Sequence, residues 1–322
     1  MLPLYPEIRP FDRQWLTVSD GHRLYVEQAG TAGALPVVVV HGGPGAGFSE
    51  QLRRFFDPEH FHIILYDQRG AGRSEPHAEL SHNDTPRLMN DLEALRQHLG
   101  IESWVLFGGS WGATLSLLYA QAYPHRCLAL ILRGVFLARQ LDVDWLYGGG
   151  AGRYFPEEWE RFIEPVSGKT GQALVEDYAK LFNGANDLAR VGAAKAWARW
   201  EAVNASLRPS QQSLDYFSST HVALSLARVG CHYIRQQFFI EPDQILQQAD
   251  RLAGIPGYLV HGRYDMVCPP DQAWQLAQRW PDAELDLVRE GGHSGFDAAM
   301  VDALIRATQN VAQRFGQGDE EA

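Results

Sequence analysis

The chain has 322 residues, 45% of them hydrophobic and 21% charged, which is enough to bury one large core or one core carrying a sizeable insertion. Its 39 acidic against 28 basic side chains leave a net charge of −11. That balance argues against a nucleic-acid backbone or an anionic membrane surface as partner.

The N-terminal stretch MLPLYPEIRPFDRQW has no basic region, and Pro3, Pro6 and Pro10 break its apolar residues, so it does not read as a secretory signal. No apolar run approaches the roughly 18 residues that cross a bilayer. Three cysteines, Cys127, Cys231 and Cys268, are odd in number and far apart. They predict free thiols and a cytoplasmic location. The final GQGDEEA reads as a frayed acidic tail.

Strand-like runs closed by turn residues recur along the chain: LTVSD (16–20), RLYVEQAG (23–30), PVVVVHGG (36–43), FHIILYDQRG (61–70), WVLFGG (104–109), CLALILRG (127–134), GYLVHG (257–262) and LDLVREGG (285–292). Helical patterns lie between several of them, at 85–100, 113–124 and 270–280. VVVV and LALIL do not alternate with polar residues, as expected of strands buried on both faces of a parallel sheet. The fold class is therefore α/β, with a mostly parallel central sheet flanked by helices. From about Leu137 to Ala249 the strands stop, and aromatic-rich helical segments such as EEWERFI, ALVEDYAKLF and VGAAKAWARWEAV take over. The expected organisation is a core from 1–137, an inserted all-helical cap from 138–249, and a return to the core from 250–322.

GGSWG (108–112) joins the strand-like WVLF to the helical ATLSLLYAQAY, and it fits G-x-S-x-G around Ser110. A sharp strand-to-helix turn presents such a serine as a nucleophile, while glycines two positions away let neighbouring backbone pass close by. A serine hydroxyl needs a base, and the base needs an orienting carboxylate. In the chain order Ser, Asp, His, the candidates are Asp265 after GYLVHG and His293 after LDLV, both at strand C-terminal ends. Asp271 is expected to cap the helix after PP, which leaves Asp265 free for the triad. HGGPG (41–45) follows VVVV and can turn backbone N–H groups toward an oxyanion, with Gly43 and Trp111 as the two donors. In DQRGAGRS (67–74), Asp67 and Arg69 read as a turn held by ion pairing. The chain carries no phosphate-loop or dinucleotide fingerprint and no metal-ligand spacing, so no cofactor and no metal are expected.

HGGPG, DQRGAGRS, GGSWGATLSLLYAQAYP, FPEEWERF, AKAWARWE, HGRYDM and GGHS together resemble the proline iminopeptidases, serine peptidases of the α/β-hydrolase fold, over nearly the whole chain. The resemblance implies Ser110, Asp265 and His293 as triad and Gly43 and Trp111 as oxyanion hole. It also implies a substrate pocket of Glu201, Arg133, Phe136, Ile234 and Leu146, with Glu201 holding the substrate's free amine. The pocket departs from the family at three positions. Gly230 stands where a second glutamate is expected, while Ile234 and Leu146 replace aromatics. Losing one of two carboxylates weakens amine recognition by about 1–3 kcal/mol.

The expected function is release of an N-terminal residue, preferentially proline, from small peptides or amino-acid amides through an acyl-enzyme. The alternative is an esterase or amidase acting on small acyl substrates without a free amine. A non-catalytic binding protein on this fold is the third reading. The sequence assigns no oligomeric state.

Overall fold

Val37 and Val39 point to one side of a strand and Val38 and Val40 to the other, and all four are buried. The strand is the β3 of an eight-stranded sheet, so VVVV packs on both faces at once. In the computed structural model, which describes residues 1–167 and 169–316, the strands are β1 (Asp12–Thr17), β2 (Arg23–Gly30), β3 (Leu35–Val40), β4 (Phe61–Tyr66), β5 (Trp104–Gly109), β6 (Cys127–Arg133), β7 (Gly257–Gly262) and β8 (Ala283–Val288). They lie in the order β1-β2-β4-β3-β5-β6-β7-β8. The β1–β2 and β2–β4 pairs are antiparallel and the rest are parallel. The acidic tail expected at the C-terminus falls mostly at 317–322, outside the described residues.

The helices are α1 (Thr85–His98), α2 (Trp111–Ala122), α3 (Gln140–Tyr147), α4 (Pro156–Ile163), α5 (Gly171–Asn183), α6 (Asp187–Ala205), α7 (Gln211–Ser218), α8 (Thr220–Arg235), α9 (Gln244–Gln247), α10 (Asp271–Ala277) and α11 (Ala298–Gly316). One sheet face packs against α11 through Met300, Leu304, Ile305 and Val311. The other face packs against α1 and α2, and its core continues without a break into Tyr147, Phe162, Tyr178, Trp197 and Leu226 of α3–α8. Between β6 and β7 the described residues form helices and turns but no strand. At the end of that stretch α9 is tied to α2, with Gln121 Nε2 donating to the Ile245 carbonyl at 2.8 Å. No helix among the described residues is long and apolar enough to cross a membrane.

Two local expectations shift. The first strand lies at Asp12–Thr17 rather than 16–20, because Ser19–Gly21 turn with Asp20 at φ 62° and β2 already pairs with Asp12 through Thr17. Asp271 is not a cap. Pro270 occupies that position, while Asp271 is the first helical residue, its carboxylate accepting from Gln275 at 3.1 Å. A first-turn acid still complements the helix dipole.

Candidate active site

Ser110 is the hinge between β5 and α2, with φ 58° and ψ −123°, a conformation that non-glycine residues rarely adopt. The turn survives because its neighbours have no Cβ. A Cβ at Gly112 would overlap the Val40 carbonyl oxygen of β3, and one at Gly108 would overlap the Gly112 carbonyl. The Ser110 N–H donates to the Arg133 carbonyl at 2.9 Å, which pins the elbow to β6. Both glycines of the motif are therefore required by close backbone approach.

β7 and β8 carry the other two groups. Asp265, 2% exposed, follows β7 and is fully engaged: Oδ1 accepts from the Val267 and Cys268 N–H groups at 3.0 and 2.7 Å, and Oδ2 accepts from His293 Nδ1 at 2.7 Å. Burial pushes this carboxyl up, but His293, His261 and the Cys268 N–H outweigh it and hold it below the ordinary range. Gly134, at φ 54°, gives the imidazole its place, since a Cβ there would sit 2.9 Å from the His293 ring. With Nδ1 donating to Asp265, Nε2 is left as the basic nitrogen. Ser110 Oγ is not hydrogen-bonded to it here, a contact that commonly tightens only with substrate.

The glycine loop after β3 lies directly on the elbow: a Cβ at Gly42 would be 3.1 Å from the Gly109 carbonyl oxygen and 3.4 Å from Ser110 Cβ. Neither the Gly43 N–H nor the Trp111 N–H donates to any described residue. The loop is braced from behind. Gln68 N–H donates to His41 Nε2 at 2.9 Å, Gln68 Nε2 to the His41 carbonyl at 2.8 Å, and Trp111 Nε1 to Gln68 Oε1 at 3.0 Å. DQRGAGRS is a buried ionic turn, but with partners other than each other. Asp67 takes Phe48 N–H and Arg73, and Arg69 forks onto Asp91 of α1 at 2.6 and 2.8 Å.

Glu201 lies on α6. Its Oε1 accepts both Tyr147 Oη–H at 2.8 Å and Trp197 Nε1–H at 2.6 Å, while no described residue donates to Oε2. Burial pushes this carboxyl up to about 7, against the opposing pull of those two donors. Tyr147 and Trp197 stack on each other with centroids 4.8 Å apart. Trp145 Nε1, on the same helix as Tyr147, donates to the Met266 carbonyl beside Asp265 at 2.8 Å, and the buried Cys268 thiol adjoins Ser110. The helical layer is thus tied to the acid loop.

The remaining pocket residues separate. Leu146 is buried, its carbonyl accepting from Trp200 Nε1 at 3.1 Å, and Ile234 lies one turn beyond Gly230 on α8. The half-buried Phe136 packs edge-on to Phe238 at 5.2 Å. Arg133 differs from expectation. Strand alternation puts it on the α11 side with Ile131, whereas Leu132 faces α3–α8. Its guanidinium crosses Gly109 and donates from NH1 to the His293 carbonyl at 2.5 Å. The guanidinium thus lies against the histidine loop, and the described hydrogen bonds join it to that loop rather than to Glu201.

Sequence reasoning missed Tyr147, Trp197, Gln68 and His261. Trp197 precedes Glu201 by one helical turn, a spacing that could have flagged it. Tyr147 had no such signal, being 54 residues away. His261 accepts the Val135 N–H at Nδ1 (3.1 Å), so its Nε2 proton goes to the Cys268 carbonyl at 2.8 Å, bracing the acid loop.

A family model described as alpha/beta hydrolase fold matches residues 36–299. Proline iminopeptidase of Xylella fastidiosa is 45% identical over 311 residues, covering 96% of this chain and 99% of that protein. Those of Arabidopsis thaliana and Neisseria gonorrhoeae are 42% and 40% identical, each covering 97% of this chain and respectively 83% and 100% of the relative. Among solved structures, a bromoperoxidase from Bacillus anthracis superposes with TM-score 0.67 at 19% identity, over 94% of this chain and 100% of that one. The proline iminopeptidase of Mycobacterium smegmatis gives 0.65 at 17%, over 94% and 99%. At those identities the superpositions speak for the fold.

Proposed function

The chain belongs to the proline iminopeptidase family of the α/β-hydrolase fold, and from that premise we propose that it releases N-terminal proline from small peptides and amino-acid amides. It is a serine hydrolase. His293 Nε2 takes the proton of Ser110 Oγ as that oxygen attacks the carbonyl carbon of the N-terminal residue. The resulting oxyanion sits between the Gly43 and Trp111 N–H groups. His293 then passes its proton to the leaving amine as the C–N bond breaks, and water, activated by the same imidazole, releases the acyl group as the free amino acid. Asp265 keeps the ring oriented and stabilises its protonated form.

The observation that carries the aminopeptidase reading is Glu201, a half-buried carboxylate with one oxygen held by Tyr147 and Trp197 and the other unclaimed. A charged group with an open oxygen inside an apolar layer is costly without a ligand, and a substrate ammonium supplies the missing donor. The three free thiols favour a cytoplasmic setting. The test compares proline 4-nitroanilide with its N-acetylated analogue in wild type and Glu201→Gln. Preference for the free amine that collapses in the variant supports the reading.

One observation favours an esterase or amidase instead: at Gly230 the chain has no second carboxylate beside the anchor. Faster turnover of N-blocked substrates or 4-nitrophenyl acetate would favour it. A non-catalytic role would require Ser110 to resist a serine-reactive phosphonate.

A further inference from the structure

Gly230 is buried in the last turns of α8, where glycine costs helix stability relative to alanine. Two reasons usually retain a glycine in such a place, and neither applies. Its backbone is not in the left-handed region. Nor does packing demand it. Outside its own helix, a Cβ at Gly230 would meet only the Pro44 carbonyl oxygen at 3.7 Å and Trp197 Nε1 at 3.9 Å, both ordinary contacts. Gly112 is the contrast, since its Cβ would overlap the Val40 backbone. A methyl-sized slot is therefore left beside Gly230.

The walls of that slot belong to the site. Pro44 follows Gly43 in the oxyanion loop, and Trp197 Nε1 is the donor that holds Glu201 Oε1. Helix α8 is pressed onto the same loop: a Cβ at Gly45 would overlap the Ser225 carbonyl oxygen and come within 2.9 Å of Val229 Cβ. An N-terminal residue with its carbonyl at Gly43 and its nitrogen at Glu201 would lie against both walls, because one Cα separates its two groups and the walls adjoin Gly43 and Glu201. A substituent on the nitrogen would therefore point toward the slot.

We infer that Gly230 is a specificity-determining position, and that the slot it leaves lets the enzyme cleave substrates whose N-terminal nitrogen carries a small alkyl group, such as N-methylproline amides. This rests on the proposed role of Glu201 as amine anchor. An N-methyl ammonium keeps its charge and one N–H for Glu201 Oε2. Its methyl hydrogens, polarised by the adjacent cation, suit the Pro44 carbonyl, which accepts no hydrogen bond from the described residues. An N-acetyl group fails on both counts, because it removes the charge and is larger than the slot.

The test measures kcat/KM for the 4-nitroanilides of proline, N-methylproline and N-acetylproline with wild type, Gly230→Ala and Gly230→Ser. Wild type is expected to cleave the N-methyl substrate within about tenfold of proline and the N-acetyl substrate far more slowly. In both variants a protein atom takes the slot, and the ratio of N-methylproline to proline is expected to fall about 10- to 200-fold, the worth of one methylene in a fitted pocket. Tm reports folding, and alanine, the better helix former, is expected to hold or raise it. Wild type that cleaves proline but not N-methylproline overturns the inference and leaves the anchor standing, as does a ratio unchanged in the variants. Wild type that prefers N-acetylproline overturns the anchor and the inference together.

Discussion

At the scale of single residues, the titration of Glu201 couples stability to substrate binding. Its carboxyl is raised by burial from 4.5 to about 7, so ionising it in the folded protein is resisted. The sign follows: the stability it contributes is complete below about pH 4.5 and is lost as pH rises through about 7. Glu201→Gln keeps an acceptor for Tyr147 and Trp197, so it is expected to unfold at higher denaturant than wild type at pH 8, by a difference on the order of 3 kcal/mol. The two are expected to converge near pH 4.5. Equal midpoints at pH 8 would mean that the carboxyl is not raised. Binding runs the other way, because only the ionised form attracts an ammonium. For proline 4-nitroanilide, kcat/KM is expected to fall more steeply below about pH 7 than for 4-nitrophenyl acetate, and this extra fall, over the acid limb that every substrate shares through the general base, is expected to vanish in the variant. The candidate triad could be proposed from the sequence because each member follows a recognisable strand. The surroundings of Glu201 were only half legible, because Tyr147 reaches it across a fold that no local pattern encodes, and the tie from Arg133 to the His293 carbonyl has no local signal either.

At the scale of elements, strands and connections were read from buried apolar runs and their glycines. Those signals are strong where both sheet faces are covered, as in β3, and weak at the β1 edge, where alternate residues are exposed. Helices α3 and α8 fall inside the expected all-helical cap, but no one segment of the sequence marked their separate boundaries. The elbow itself is the most constrained connection. Gly112→Ala would drive a methyl into the β3 backbone, and the expected result is a fall in stability of several kcal/mol with loss of activity, read by thermal unfolding and by turnover. The link from β6 to the histidine loop has a subtler signature. Arg133→Met removes the hydrogen bond to the His293 carbonyl while leaving the pocket around Glu201 intact. About a tenfold fall in kcat with KM little changed is expected, whereas a rise in KM alone would return Arg133 to the substrate pocket.

At the scale of the whole molecule, buried polar ties join the segments that the apolar core alone would leave adjustable. Arg69 and Asp91, with 0% and 3% of their side chains exposed, fasten the loop after β4 to α1. Asp91→Ala leaves a buried guanidinium without its partner and is expected to cost about 3–5 kcal/mol in urea unfolding. A change under about 1 kcal/mol would mean that solvent or Asp20 takes over. Alternation of strands and helices predicted the sheet-and-helix layers, and between β6 and β7 the described residues are helical. What the sequence did not reveal is that α3 and α8 bring both Tyr147 and Gly230 against the Trp197–Glu201 pair, so that one helical layer would supply both the proposed anchor and the room beside it.

The measurement that bears most directly on this account is the ratio of kcat/KM for proline 4-nitroanilide to that for N-acetylproline 4-nitroanilide, taken for wild type and Glu201→Gln with Ser110→Ala as the blank. The expected result is a strong wild-type preference for the free amine that drops about 100-fold in Glu201→Gln, the cost of unpairing a buried charge-assisted contact. A ratio that Glu201→Gln leaves unchanged, or a wild type that prefers the acetylated substrate, would contradict the account.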